Sequence, residues 1–243
     1  MTHEERMELA GRLCALIIER YDDTVLAVFV TSSTARGLDL EFSDLELTAV
    51  HRDGTAPVSR SYYHRGILIE VEHIEESRIL DQRMRRQWPI SAGEYRERII
   101  LYEKDHWTTR LDQALEARDA ADPLPAQRAA LLEVLEYRDK LRNARLIGDG
   151  TSLRAFGFFL ADAAANLVLF LNRQPMITTR QYFHQAFACP LLPPGFRAHM
   201  EALLGLRTAD PDALADVTET LTNGLVQLAA LRGIETDSPE LLV

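Results

Sequence analysis

Apolar and polar positions recur with two different periods along the 243 residues, and the change of period divides the chain. Thr2-His3-Glu4-Glu5 has the form of a capping box, and Leu9, Leu13, Leu16 and Ile17 then recur at helical spacing. Together they predict an amphipathic helix to about Arg20. Three β-branched runs follow: Thr24 to Val30, Leu45 to Val50 and Ile67 to His73. The last alternates, so that Leu68, Glu70 and Glu72 fall on one side. Thr31 to Ser43, between the first two runs, is rich in small and turn-forming residues. After Glu75 the pattern becomes helical, breaks at Trp88-Pro89 and Gly93, and resumes as an amphipathic helix from about His106 to Ala117.

Asp122-Pro123-Leu124-Pro125 is the clearest linker signal in the chain. Beyond it the period is helical almost throughout: about Ala126 to Leu146, Ser152 to Leu171, Thr179 to Ala188, Pro194 to Leu204 and Pro211 to Leu231. The expected fold class is therefore α+β, with one domain over residues 1–122 and a helical bundle over residues 126–243. The apolar stretch Ala155 to Leu171 carries Asp162 in its middle and reads as a buried bundle helix rather than a membrane span. Phe156, Phe158 and Phe159 read as packing within that bundle, and Cys14 as core of the first helix.

A composition of 47% hydrophobic and 26% charged residues is ordinary for a globular chain and excludes disordered and collagen-like classes. Cys14 and Cys189 are too few and too far apart for a disulfide framework or a cysteine-rich metal cluster, so a reducing cytoplasm is the expected location. The Glu-rich start lacks the basic and apolar regions of a secretory signal. Charge sharpens the picture. Thirty-seven acidic against 27 basic residues give −10, which argues against a nucleic-acid backbone as partner and towards cationic or metal-bridged ligands. Residues 1–124 hold 24 acidic and 16 basic side chains, against 13 and 11 in the remainder, so the first half is the expected cation site.

Ser43-Asp44-Leu45-Glu46 opens the second strand, and a period of two throws Asp44 and Glu46 to one side, where they can share a hard cation. Taken alone, a D-x-E at a strand entry is usually a solvated turn. Upstream, Ser32-Ser33-Thr34-Ala35-Arg36 follows the first strand directly; its backbone N–H groups and hydroxyls suit a phosphate, with Arg36 close by. Glu70 adds a third carboxylate. Carboxylates on adjacent strands beside a small-residue phosphate turn form the arrangement of two-metal phosphoryl and nucleotidyl transfer. Independently, Glu136 and Lys140 lie at i and i+4 on a helix and share a face, as a ligand-binding pair or as an ordinary helix-stabilising pair.

Thr31 to Glu46 resembles the nucleotidyltransferase signature Gly-Ser-x-x-Arg followed by Ser-Asp-x-[Asp/Glu], and Glu70 in Ile-Glu-Val matches its third carboxylate. The nearest likeness is to the kanamycin (aminoglycoside 4′) nucleotidyltransferases. It continues through Trp88-Pro89, through Glu136-Tyr137-Arg138-Asp139-Lys140-Leu141-Arg142-Asn143-Ala144-Arg145, similar to that family's Glu-Tyr-x-x-Lys-x-Arg-Asn-x-Arg helix, and through Thr178-Thr179. The resemblance implies a mixed-sheet nucleotidyltransferase domain plus a helical bundle, assembled as a homodimer with active sites at the subunit interface. It implies Asp44, Glu46 and Glu70 as ligands to two Mg²⁺, Glu136 as general base, Lys140 on the nucleotide phosphates, and Ser32, Ser33 and Arg36 around the triphosphate of ATP. The expected activity is transfer of AMP to a hydroxyl of an aminoglycoside-type antibiotic with release of pyrophosphate, without nucleic-acid or membrane partners. Two alternatives share the fold: the same chemistry on another small molecule, and a non-catalytic, antitoxin-like nucleotide-binding module. The chain departs from the family at Ser32 and Ala35, which stand where it has glycine and a second small residue, and at Glu72, an added acid whose role the sequence leaves open.

Overall fold

The computed structural model describes residues 1–83 and 95–235; the expected breaks at Trp88-Pro89 and Gly93 lie outside the described residues. The capping box closes at the chain start: the Thr2 hydroxyl accepts from the Glu5 N–H while the Glu5 carboxylate accepts from the Thr2 N–H. Helix α1 (His3–Tyr21) then buries Ala10, Cys14 and Ile17. Leu16, expected on that face, is 59% exposed, because the buried stripe is centred on Ala10 and Ile17 and leaves Leu16 at its margin.

Five strands form one mixed sheet: β1 (Val25–Val30), β2 (Leu45–His51), β3 (Arg60–His64), β4 (Ile67–Glu75) and β5 (Ile99–Glu103), in the order β3-β4-β2-β1-β5. β2 and β4 run parallel and the other pairs antiparallel. The three expected strands are the three inner ones. Both edges are additions to the sequence reading. β3 has no alternation to read, since all five of its residues are exposed; a two-residue turn, Arg65-Gly66, with both φ positive (51° and 86°), pairs it to β4 in the manner that matches strand twist.

Alternation gives the sheet two unlike faces. One packs Val28, Val30, Leu45, Leu47, Ile67 and Ile69 against α1. The other is divided along its length: Leu26, Phe29, Val50 and Ile74 are covered by Tyr95, Trp107 and by Leu111 and Leu115 of α3 (Thr108–Ala120), whereas Thr31, Glu46, Thr48, Glu70 and Glu72 occupy the remainder. At the far ends of β2 and β4, His51 Nε2 and His73 Nδ1 lie 2.8 Å apart, with the Tyr21 ring edge-on to both. His51 is fully buried; desolvation and then the neighbouring His73 push it down to about 4.

The chain divides into two compact units, Met1–Ala121 with Pro175–Thr179, and Asp122–Gln174 with Arg180 onward. The second is helical: α4 (Leu124–Leu146), α5 (Gly150–Leu171), α6 (Tyr182–Phe187), α7 (Phe196–Leu203) and α8 (Pro211–Ala230). Asp149 caps α5 by accepting from the Thr151 and Ser152 N–H groups. Arg142 bridges α4 to Glu219 of α8 through two hydrogen bonds of 2.6 Å. By length and composition α5 would suit a membrane span, but most of it is buried within the unit, so it is a core helix. The helix expected from Thr179 begins as a 3₁₀ turn, Thr179–Gln181. Phe158 and Phe159 meet the bundle-packing expectation only in part. They are 50% and 44% exposed, and Phe159 stacks on Tyr137 at 5.5 Å instead of entering the core.

Candidate active site

Parallel pairing of β2 with β4 places Glu46 directly beside Glu70, and Asp44 stands at the mouth of β2. The three half-buried carboxylates bring an oxygen each within 4.8 Å of one another. Like charges at this distance repel, and oxygen donors of this number and hardness suit a divalent cation such as Mg²⁺. Glu46 is oriented by Ser32, whose hydroxyl donates to it at 2.5 Å, and Glu70 accepts from Ser61 at 3.4 Å.

The turn that the sequence marked as a phosphate site forms a single helical turn, α2 (Ser32–Ala35), directly after β1. Ser32 has φ +56°, the left-handed region that favours glycine. Backbone bonds tie this turn to its neighbours, Thr31 N–H to Glu46 C=O at 3.2 Å and Leu38 N–H to Ser33 C=O at 2.9 Å. Beside it lies a cavity of about 260 Å³ lined by Ser32, Ser33, Arg36, Asp44 and Glu46, together with Met176 to Thr179. Arg36 Nε is engaged by Glu97 at 2.8 Å.

Sequence reasoning missed what holds the Asp44 approach in place. Arg6 of α1 is fully buried and pairs with Asp39, which also bonds His3 Nδ1 at 2.8 Å. The Arg6 guanidinium further donates to the Leu40 and Ser43 carbonyls at 2.9 and 3.1 Å, so the loop leading into Asp44 is wrapped around one cation. The signal was present: Arg6 lies three residues before Leu9, close to the apolar stripe of α1, where a lone arginine needs a buried partner.

Glu136 and Lys140 belong to the second unit. On α4 they form an ion pair of 2.7 Å, and the Lys140 ammonium sits 4.9 Å from the centre of the Tyr137 ring. The hydrogen bond that Lys140 donates to Glu136 holds its ammonium above the usual lysine range. Nearby Glu133 is raised by burial and by repulsion from Asp162 and Glu136.

A mixed sheet bearing a small-residue turn, with a carboxylate cluster at the end of the adjacent strands, is the catalytic frame of a nucleotidyltransferase. Residues 107–235 match the family model of the KNTase C-terminal domain, and the chain belongs to this kanamycin nucleotidyltransferase-like family of enzymes. It is 26% identical over 240 residues, 98% of its length and 95% of theirs, to proteins named aminoglycoside nucleotidyltransferase (4′) from Staphylococcus aureus and from a Bacillus species. Among solved structures, a nucleotidyltransferase-like protein from Exiguobacterium sibiricum shares the fold with a TM-score of 0.54 and 17% identity, over 93% of this chain and 75% of that one.

Proposed function

We propose that the enzyme transfers AMP from Mg-ATP to a hydroxyl of an aminoglycoside-type acceptor and releases pyrophosphate. The observation that carries this reading is the meeting of Asp44, Glu46 and Glu70 within 4.8 Å beside the Ser32–Ser33 turn. The names of the relatives supply the acceptor class. Ser32, Ser33 and Arg36 receive the triphosphate, with the Ser33 hydroxyl and the backbone N–H groups of the turn as donors, while the Ser32 hydroxyl stays on Glu46. Two Mg²⁺ held by Asp44, Glu46 and Glu70 would neutralise phosphate charge and align the α-phosphorus.

Glu136 accepts the proton of the acceptor hydroxyl as its oxygen bonds to the α-phosphorus and the bond to the β-phosphate oxygen breaks. Lys140 faces the phosphates and offsets the charge that builds on them. In this reading two copies of the chain assemble, and the base of one meets the carboxylates of the other. A cytoplasmic location accords with the use of ATP in this reading. The test is pyrophosphate release with Mg-ATP or Mg-GTP against kanamycin, neomycin, a lincosamide and a neutral sugar. Turnover confined to the aminoglycosides, and lost in Asp44→Asn, is the expected result. Turnover on the lincosamide or sugar alone would move the acceptor class, and none at all would favour a non-catalytic nucleotide-binding module.

A further inference from the structure

Lys140 is one of only two lysines in the chain, and aromatic rings from two helices lie against it. Tyr137, three residues earlier on α4, has its ring centre 4.9 Å from the ammonium, and Phe156 of α5 adds a second ring at 6.0 Å. Phe159 of α5 backs the first ring, with centroids 5.5 Å apart and planes 23° apart, and is itself met edge-on by Phe158 at 6.0 Å. The ion pair with Glu136 does not fix the lysine by itself. Its side chains, Glu136 and Lys140, are 61% and 40% exposed, and a pair so open to water is weak. A ring face attracts an ammonium through its quadrupole and, unlike a second carboxylate, leaves the net positive charge uncancelled. Rings therefore suit a lysine whose charge is needed elsewhere.

We propose that Tyr137, Phe156 and Phe159 are positioning residues for nucleotidyl transfer: the first two hold the Lys140 ammonium where the phosphates meet it, and Phe159 holds Tyr137. Restraining the four-carbon stem in advance removes rotamer entropy that would otherwise be lost as the transition state forms. The half-exposed Phe158 and Phe159, which the packing of the bundle leaves at its surface, thereby acquire a task. This role rests on the transferase reading of Lys140, and its test separates the two.

Reductive methylation with ¹³C-formaldehyde keeps the charge of both lysines and gives each an NMR signal, which Lys104→Arg assigns. Without nucleotide, the Lys140 signal should lie upfield of free dimethyl-lysine, in the ring currents of Tyr137 and Phe156. Tyr137→Leu and Phe156→Leu should each move it towards the free position, and Tyr137→Phe, which keeps the ring, should not. In the unmethylated enzyme, kcat should fall about two- to fivefold in Tyr137→Leu, the range for an exposed cation–π contact, and recover in Tyr137→Phe. KM for the acceptor should not change. In a Lys140→Met background, which removes the ammonium, Tyr137→Leu should cost nothing further. A wild-type signal at the free position, or an equal loss of kcat with and without Lys140, would overturn the proposal while the transferase reading stood. A signal that moves as expected in a protein that releases no pyrophosphate would remove the transferase reading, and the positioning role with it.

Discussion

Ser32 holds a left-handed backbone, φ +56°, and from that position its hydroxyl donates to Glu46 at 2.5 Å. A non-glycine residue there costs of order 1–2 kcal/mol, so the turn trades strain for a fixed carboxylate. Glycine would relieve the strain but would leave Glu46 without that donor.

Ser32→Gly and Ser32→Ala separate the two effects, since both lose the hydroxyl and only glycine relieves the backbone. Urea unfolding should find Ser32→Gly more stable than Ser32→Ala by about 1 kcal/mol. Half-saturation by Mg²⁺ should rise by the same several-fold factor in both. Equal stabilities would show that the left-handed φ carries no strain.

The Arg6–Asp39 pair is almost wholly removed from solvent, with both side chains 1% exposed. Arg6→Met leaves the Asp39 carboxylate buried without its guanidinium, and about 3–5 kcal/mol of stability should be lost. Replacing both residues with apolar ones of similar volume should recover part of it. A loss below about 1 kcal/mol in the single variant would mean that the loop rearranges to hydrate Asp39.

His51 gives the first unit an acid limit. With the native group depressed to about 4, an unfolded histidine near 6.5 takes up its proton first, so the contribution to stability is complete above pH 6.5 and is lost as pH falls towards 4. Between pH 7 and 4.5 the wild-type protein should lose about 2–3 kcal/mol more than His51→Asn does, measured by urea midpoints at each pH. Parallel pH profiles for the two proteins would contradict this.

Glu136→Gln should bind nucleotide normally and turn over roughly two to four orders of magnitude more slowly, the usual range for a general base. If base and metal site meet across subunits, mixing the inactive Asp44→Asn and Glu136→Gln proteins should restore activity. Unchanged kinetics in Glu136→Gln would leave the 2.7 Å pair with Lys140 as a helix-surface ion pair and nothing more.

What was legible in the sequence was whatever a single local period or spacing encodes. The inner strands, the capping box and the Asp44, Glu46 and Glu70 spacing were readable because β4 alternates in burial, while β2 is a continuous buried run in which Glu46 is the one partly exposed position. β3 escaped because an edge strand exposed along its whole length has no face to encode; only the Arg65-Gly66 turn marked it. The Arg6 clamp depends on residues far apart in the chain, and no local pattern reports such a meeting. Leu16 shows the converse: helical spacing located a stripe, while the small Ala10 and Cys14 decided which edge of it the sheet would cover.

Residues 176–179 form one wall of the 260 Å³ cavity, yet they arrive in the chain after both long helices of the second unit. During synthesis the sheet, its turn and its carboxylates are all made before that wall exists, and the cavity stays open on one side until Thr179 has left the ribosome. Truncation after the proline-rich linker would therefore yield a sheet with its acids in place and an unfinished pocket. Gene fusions that exchange the helical half for another would inherit the same defect unless they carried these four residues along.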